Sequence, residues 1–213
     1  RLMNILDIRN QQGQTVSITK AHVAEIKEYL AALDLIVDCP IETTEPGTEP
    51  VEHILFTQPG MRYCQAQALV HSLMQDELFR SLSEKERDDI TDRILEEVRG
   101  RMLEDIILLE TSKALDKHYK VCKLQFASGE FDMVVYDREA NQCAAFEIKH
   151  SRQAVPEQPR HLRDAEKCAL TERRFGKLVG RYVLYLGQTR EIEDGITYRN
   201  AEEFLKELPA IRL

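Results

Sequence analysis

Two alternating runs, residues 131–136 and 144–149, constrain this chain more than any other feature. In the first, Phe131, Met133 and Val135 fall on one side and Asp132, Val134 and Tyr136 on the other; in the second, Ala144, Phe146 and Ile148 alternate with Ala145, Glu147 and Lys149. A period of two is that of a strand with one apolar face. The polar, turn-prone Asp137-Arg138-Glu139-Ala140-Asn141 between them joins the runs as an antiparallel hairpin. Such a hairpin makes Asp132 and Glu147 neighbours, and it places the α-carbons of Glu147 and Lys149 roughly 6.5–7 Å apart on one face.

Two carboxylates and a lysine converging at strand ends suit one chemistry in particular. Hard divalent cations, magnesium or manganese, take oxygen ligands and are held by one or two carboxylates together with waters and substrate phosphates. Asp132 and Glu147 fit that role. Lys149 beside them fits a group that orients the attacking water or offsets charge developing on phosphorus. Glu104 lies in the apolar stretch Met102-Leu103-Glu104-Asp105-Ile106-Ile107-Leu108-Leu109, where an acid needs a reason such as a metal or the lysine. Taken singly, each of these residues reads as a solvated or structural ion-pair member.

The order of Gly100-Arg101-Met102-Leu103-Glu104, then Gly129-Glu130-Phe131-Asp132-Met133-Val134-Val135, then Phe146-Glu147-Ile148-Lys149-His150-Ser151 resembles the PD-(D/E)XK nuclease superfamily. More narrowly it is similar to the C-terminal domain of a family of prokaryotic AAA-type ATPases. Residues 29–36 and 56–62 are similar to the linker and winged-helix-like region before that domain, and 183–187 with 201–205 to its tail. The resemblance implies an α/β fold with a mixed sheet flanked by helices over residues 83–213, preceded by a mostly helical, winged-helix-like part over residues 1–82. It further implies magnesium- or manganese-dependent hydrolysis of DNA phosphodiesters, with Glu104, Asp132, Glu147 and Lys149 as the catalytic set and Asp132, Glu147 and Glu104 as metal ligands. The ATPase domain of the same full-length protein would be a partner. Fold does not fix activity, so a catalytically silent module recognising DNA or protein stands as the alternative.

The net charge of −8 argues against coating nucleic acid by bulk electrostatics. Its distribution is uneven: residues 1–100 hold 10 Lys and Arg against 18 Asp and Glu, while residues 101–213 hold 19 of each. Between 149 and 181, nine basic residues (Lys149, Arg152, Arg160, Arg163, Lys167, Arg173, Arg174, Lys177 and Arg181) face four acidic ones, a stretch suited either to phosphate contacts or to a solvated helix face. His150 and His161 are the histidines near the proposed site, and neither is taken as a ligand. Five scattered cysteines without a Cys-x-x-Cys pair indicate reduced thiols. No apolar run reaches the ~18–20 residues of a membrane span, so a cytoplasmic location without a membrane partner is expected. The opening Arg1-Leu2-Met3 leads us to expect a piece of a longer protein.

Helical spacing of Val23, Ile26, Leu30 and Leu33 predicts an amphipathic helix with one buried stripe over 18–36. The proline-containing segment 42–50 reads as a wing-like loop, and 53–57 as a short strand. Residues 61–82 read as helical with Leu69, Val70, Leu73, Met74 and Leu78 as the core face. Ser83-Glu84-Lys85-Glu86 reads as a capping box opening a helix through Glu104 toward Leu115, with a break near Gly100. A helix over 161–175, a strand over 182–186 and a last helix from about Asn200 follow.

Overall fold

The computed structural model describes residues 17–45, 47–191 and 194–208. Two compact units divide the chain, residues 1–36 and residues 37–213.

In the first unit, helix α1 (Lys20–Ala32) opens with a capping box in which the Thr19 hydroxyl accepts from the His22 amide and the His22 side chain accepts from the Thr19 amide. The apolar spacing is there, but the stripe is not buried: Val23, Ile26 and Leu33 are all exposed within this unit, and α1 buries none of its residues. Spacing specifies which residues share a helix face and leaves open whether anything covers it.

The second unit is built on a mixed sheet. Its strands are β2 (Ile41–Thr43), β4 (Tyr119–Gln125), β5 (Glu130–Asp137), β6 (Gln142–Lys149), β7 (Lys177–Tyr185), β8 (Arg190–Glu191) and β9 (Thr197–Asn200), in the order β2-β4-β5-β6-β7-β9-β8. β4, β5 and β6 form an antiparallel meander, and β6, β7 and β9 run parallel. Two further strands, β1 (Ile36–Asp38) and β3 (Ile54–Phe56), pair separately. The segment read as a wing-like loop therefore begins with a sheet strand. β2 lies parallel to β4 at the edge, and its Glu42, 2% exposed, is gripped by Lys120 of β4 and by Arg174. Paired cations make that burial tolerable.

Helices cover both faces of the sheet. The 31-residue helix α4 (Glu84–Ala114) starts at the expected Ser83–Glu86 capping box and passes Gly100 without a break. Only its C-terminal half is buried, through Ile107, Leu108 and Leu109, which pack with Met133, Val135, Ala144, Phe146 and Ile148 of the hairpin and with Phe204 of the last helix α6 (Ala201–Glu207). On the other face Val134, Cys143 and Ala145 pack with Leu162 and with Phe175 of α5 (Ala165–Phe175). α5 begins later than its periodicity predicts because Asp164 caps it, accepting from the amides of Glu166 and Lys167.

The 61–82 stretch departs further from expectation. It forms α2 (Gly60–Leu73), which packs along α4, and a short α3 (Glu77–Arg80). Leu69, Met74 and Leu78 are exposed, and the buried residues are Ala66 and Phe79. Asp76 resets the helix by capping α3 through the amides of Leu78 and Phe79, which rotates the later residues out of the predicted face. The five cysteines are free, and among the described residues no helix is long and apolar enough to cross a membrane.

Leu108 is fully buried while Leu78 is 81% exposed. Urea denaturation of Leu108→Ala is therefore expected to show a loss of about 3 kcal/mol. Leu78→Ala should stay within about 0.5 kcal/mol of wild type; equal losses would contradict the packing described here.

Candidate functional site: a carboxylate and lysine cleft at the hairpin end

The hairpin forms in the expected register, with Met133 opposite Phe146 and Val134 opposite Ala145. One step beyond the last pair stand Asp132 and Glu147. The regular ladder stops there because of a bulge on the other side of β5. Between the pairs Cys122–Val134 and Leu124–Phe131, β4 supplies Lys123 alone while β5 supplies Met133 and Asp132. Two residues opposing one is a β-bulge, which bends the strand and re-aims its side chains. Phe131, which strict alternation places with Met133 and Val135, thereby joins Val134, Leu124 and Phe126 on the opposite face, its ring edge-on to Phe126 at 5.0 Å.

The bulge leaves the Asp132 carboxylate to do what a backbone carbonyl does elsewhere in the ladder. Its Oδ2 accepts from the Ile148 amide at 2.7 Å and from Lys149 Nζ at 2.9 Å. Lys149 Nζ also donates to Glu147 Oε2 at 2.6 Å. Asp132, Glu147 and Lys149 are thus brought together, as the alternating runs imply. They line a cleft of about 350 Å³ with Gly129, Glu130, Glu157, Gln158, Arg160 and His161.

Glu104 is close enough to be electrostatically coupled to Asp132 and Lys149 but lies outside the lining of the cleft. Its Oε2 accepts from Lys123 Nζ at 2.9 Å, and the lysine side chain is only 9% exposed. Asp105, next along α4, turns to Arg62 at 2.9 Å. Lys123 is the residue that sequence reasoning missed. Its signal was present: Tyr119, Val121 and Lys123 share one side of an alternating strand, so a lysine occupies an apolar face.

Burial first, and then the Asp132 charge, push the Glu147 carboxyl up to about 8, against the opposing pull of Lys149. Burial also disfavours the Lys149 ammonium, but the charges of Asp132 and Glu147 outweigh it and raise its pKa. Glu104 is raised by burial and then by Asp132, Lys123 opposing. Negative charge is therefore held here at a cost, which an additional cation would relieve.

Glu147 Oε1 is enclosed and, with the carboxylate ionised, receives no hydrogen bond among the described residues; a carboxyl-to-carboxylate hydrogen bond with Asp132 favours the protonated form instead. A buried oxygen left in that state is costly, and coordination of a hard cation would satisfy it. Two carboxylates of this kind fit magnesium or manganese, which complete their shell with waters and phosphate oxygens. Among the described residues no group of three or more His, Cys, Asp or Glu side chains is arranged to hold a metal; Asp132 and Glu147 share Lys149, and Glu104 is bonded to Lys123.

The nine basic residues of the 149–181 stretch are largely consumed within the fold. Arg174 serves Glu42, Arg163 pairs with Asp194 at 2.5 Å, and Arg181 donates to the Leu162 carbonyl. Arg160 remains at the cleft.

Compared with protein-family models and with curated proteins, the chain finds no match.

A pH dependence follows from Glu147. Its folded pKa, near 8, lies above the ordinary 4.5, so the folded state binds the proton more tightly, and stability falls as pH rises through that window. Glu147→Gln removes the ionisation. The variant's stability relative to wild type is expected to rise between about pH 5 and about pH 8.5 in urea titrations; parallel curves would show that Glu147 does not titrate in this range.

Proposed function

We propose that the cleft at Asp132, Glu147 and Lys149 is a magnesium- or manganese-dependent nuclease site acting on DNA, carried by the C-terminal part of an AAA-type ATPase. The observation that carries this reading is the convergence of Asp132, Glu147 and Lys149 on one cleft. Asp132 and Glu147 would hold the cation. When bound, it would neutralise phosphate charge and lower the pKa of a water. The chain's own residues do the rest. The Ile148 amide fixes the Asp132 carboxylate through Oδ2, so the ligand geometry is set by the ladder. Lys149, held as an ammonium by two carboxylates, donates hydrogen bonds; with those carboxylates engaged as ligands, it would turn a donor to a phosphate oxygen or to the attacking water. Glu104 and Lys123 form the supporting pair behind.

A second reading is supported by the same contacts. Lys149 already bonds both carboxylates and Lys123 neutralises Glu104, as in a site kept for shape, in a module that recognises DNA or protein without cutting.

Calorimetric manganese titration separates the two. The nuclease reading expects wild-type binding that Asp132→Asn and Glu147→Gln each weaken at least about tenfold, with nicking of supercoiled DNA lost in Asp132→Ala and Lys149→Ala. Nicking that survives both alanine variants overturns the assignment of these residues, and no nicking at any manganese concentration leaves the recognition module.

A further inference from the structure

His161 makes two contacts that its ring cannot satisfy together. Lys167 Nζ lies 2.6 Å from its Nδ1, and Arg160 Nε lies 3.2 Å from its Nε2. Ammonium and guanidinium groups only donate, and a neutral imidazole has one acceptor nitrogen, a protonated one none. One of the two contacts is therefore donor against donor.

Burial decides which. The Lys167 side chain is 11% exposed and lies over the Phe126 ring at 5.4 Å; beyond His161 it has Asp164 Oδ2 at 4.0 Å. A buried ammonium cannot forgo its near acceptor, whereas Arg160 is exposed and has water. Nδ1 is thus the acceptor and the proton sits on Nε2. The ring is also fixed in place. Gly129 has φ +83°, and a Cβ there would stand 2.6 Å from His161 Cε1, so the imidazole lies against bare backbone. Desolvation, followed by the charges of Lys167, Arg160 and Lys149, lowers the His161 pKa, in keeping with a neutral ring.

Two donors, His161 Nε2–H and Arg160 Nε–H, then face one another in the cleft that holds Asp132, Glu147 and Lys149. They lack a common acceptor. Glu130 and Glu157 line the same cleft; the Arg160 amide donates to the Glu157 carbonyl at 3.2 Å, while among the described residues the Arg160 and His161 side chains bond to each other and to Lys167. An oxyanion seated beside the two nitrogens, with the exposed guanidinium turned off Nε2, would satisfy both.

We propose that His161 and Arg160 form a phosphate-oxygen subsite beside the carboxylates, taking a backbone phosphate of a nucleic-acid strand, with Lys167 as the positioning residue that fixes the imidazole tautomer. This rests on the nuclease reading for the identity of the strand, while the donor pair itself stands on geometry alone.

The test uses the full chain labelled with 15N-histidine, with a deoxythymidine hexanucleotide and inorganic phosphate as probes. Long-range 1H–15N spectra at neutral pH are expected to show His161 as the single Nε2–H tautomer, and Lys167→Met to convert it to a mixture. Metal-free binding of the hexanucleotide should weaken about tenfold in Arg160→Gln and in His161→Phe, and His161→Gln, which keeps a donor, should stay within about threefold of wild type. An Nδ1–H tautomer, phosphate binding without hexanucleotide binding, or equal affinity in wild type, Arg160→Gln and His161→Phe overturns the proposal. Cleavage that persists unchanged in His161→Phe would sink the subsite and leave the nuclease reading. Absent manganese binding, with hexanucleotide binding still dependent on His161 and Arg160, would sink the nuclease reading and leave the subsite.

Discussion

The Asp132 carboxylate is the interaction on which the candidate site depends. It takes the hydrogen bond of the Ile148 amide, where the β5–β6 ladder would otherwise continue, and at the same oxygen it takes the ammonium of Lys149. That is possible because β5 bulges at Met133 and Asp132 opposite Lys123. Bulges commonly re-aim side chains where a ladder must end. Here the distortion does three things together: it turns Asp132 toward Glu147 and Lys149, sends Phe131 to the opposite face, and sets Lys123 where it can meet Glu104 from α4.

The electrostatics follow from that placement. Carboxylates and lysines are crowded into a region that excludes much of the solvent, and burial works against every charge in it. Lys149 divides its ammonium between Asp132 and Glu147, while Lys123 serves Glu104. Glu147 is left with one enclosed oxygen unpartnered and with a raised pKa. Its least satisfied atom is that oxygen. Buried ion pairs of this sort contribute little net stability compared with apolar packing, so the apolar layers on the two sheet faces must supply what the polar end does not.

The same balance of donors and acceptors runs along the cleft to His161. Lys167 lies on a helix otherwise packed through Thr171 and Phe175, and its buried ammonium assigns the imidazole proton from behind. The orientation of the ring is set in turn by Gly129, the residue just before the strand that carries Asp132. Carboxylates, lysine and imidazole are therefore tied to one hairpin and the segment that lies against it.

Much of this was legible in the chain itself. Period-two alternation determined the hairpin, its register and the meeting of Asp132, Glu147 and Lys149, because strand geometry is local and the turn between the strands is short. The Ser83–Glu86 capping box determined where α4 begins, because its reciprocal bonds lie within a few residues. Tertiary structure decided what local rules cannot reach. Whether the stripes of α1 and the 61–82 region are covered depends on distant partners, and Val23, Ile26 and Leu78 are exposed despite their spacing. The pairing of Glu42 with Lys120 and Arg174, of Glu104 with Lys123, and of His161 with Lys167 turns on side chains brought together by the sheet order. Periodicity assigns a residue to a face; only the packed fold decides what stands opposite it.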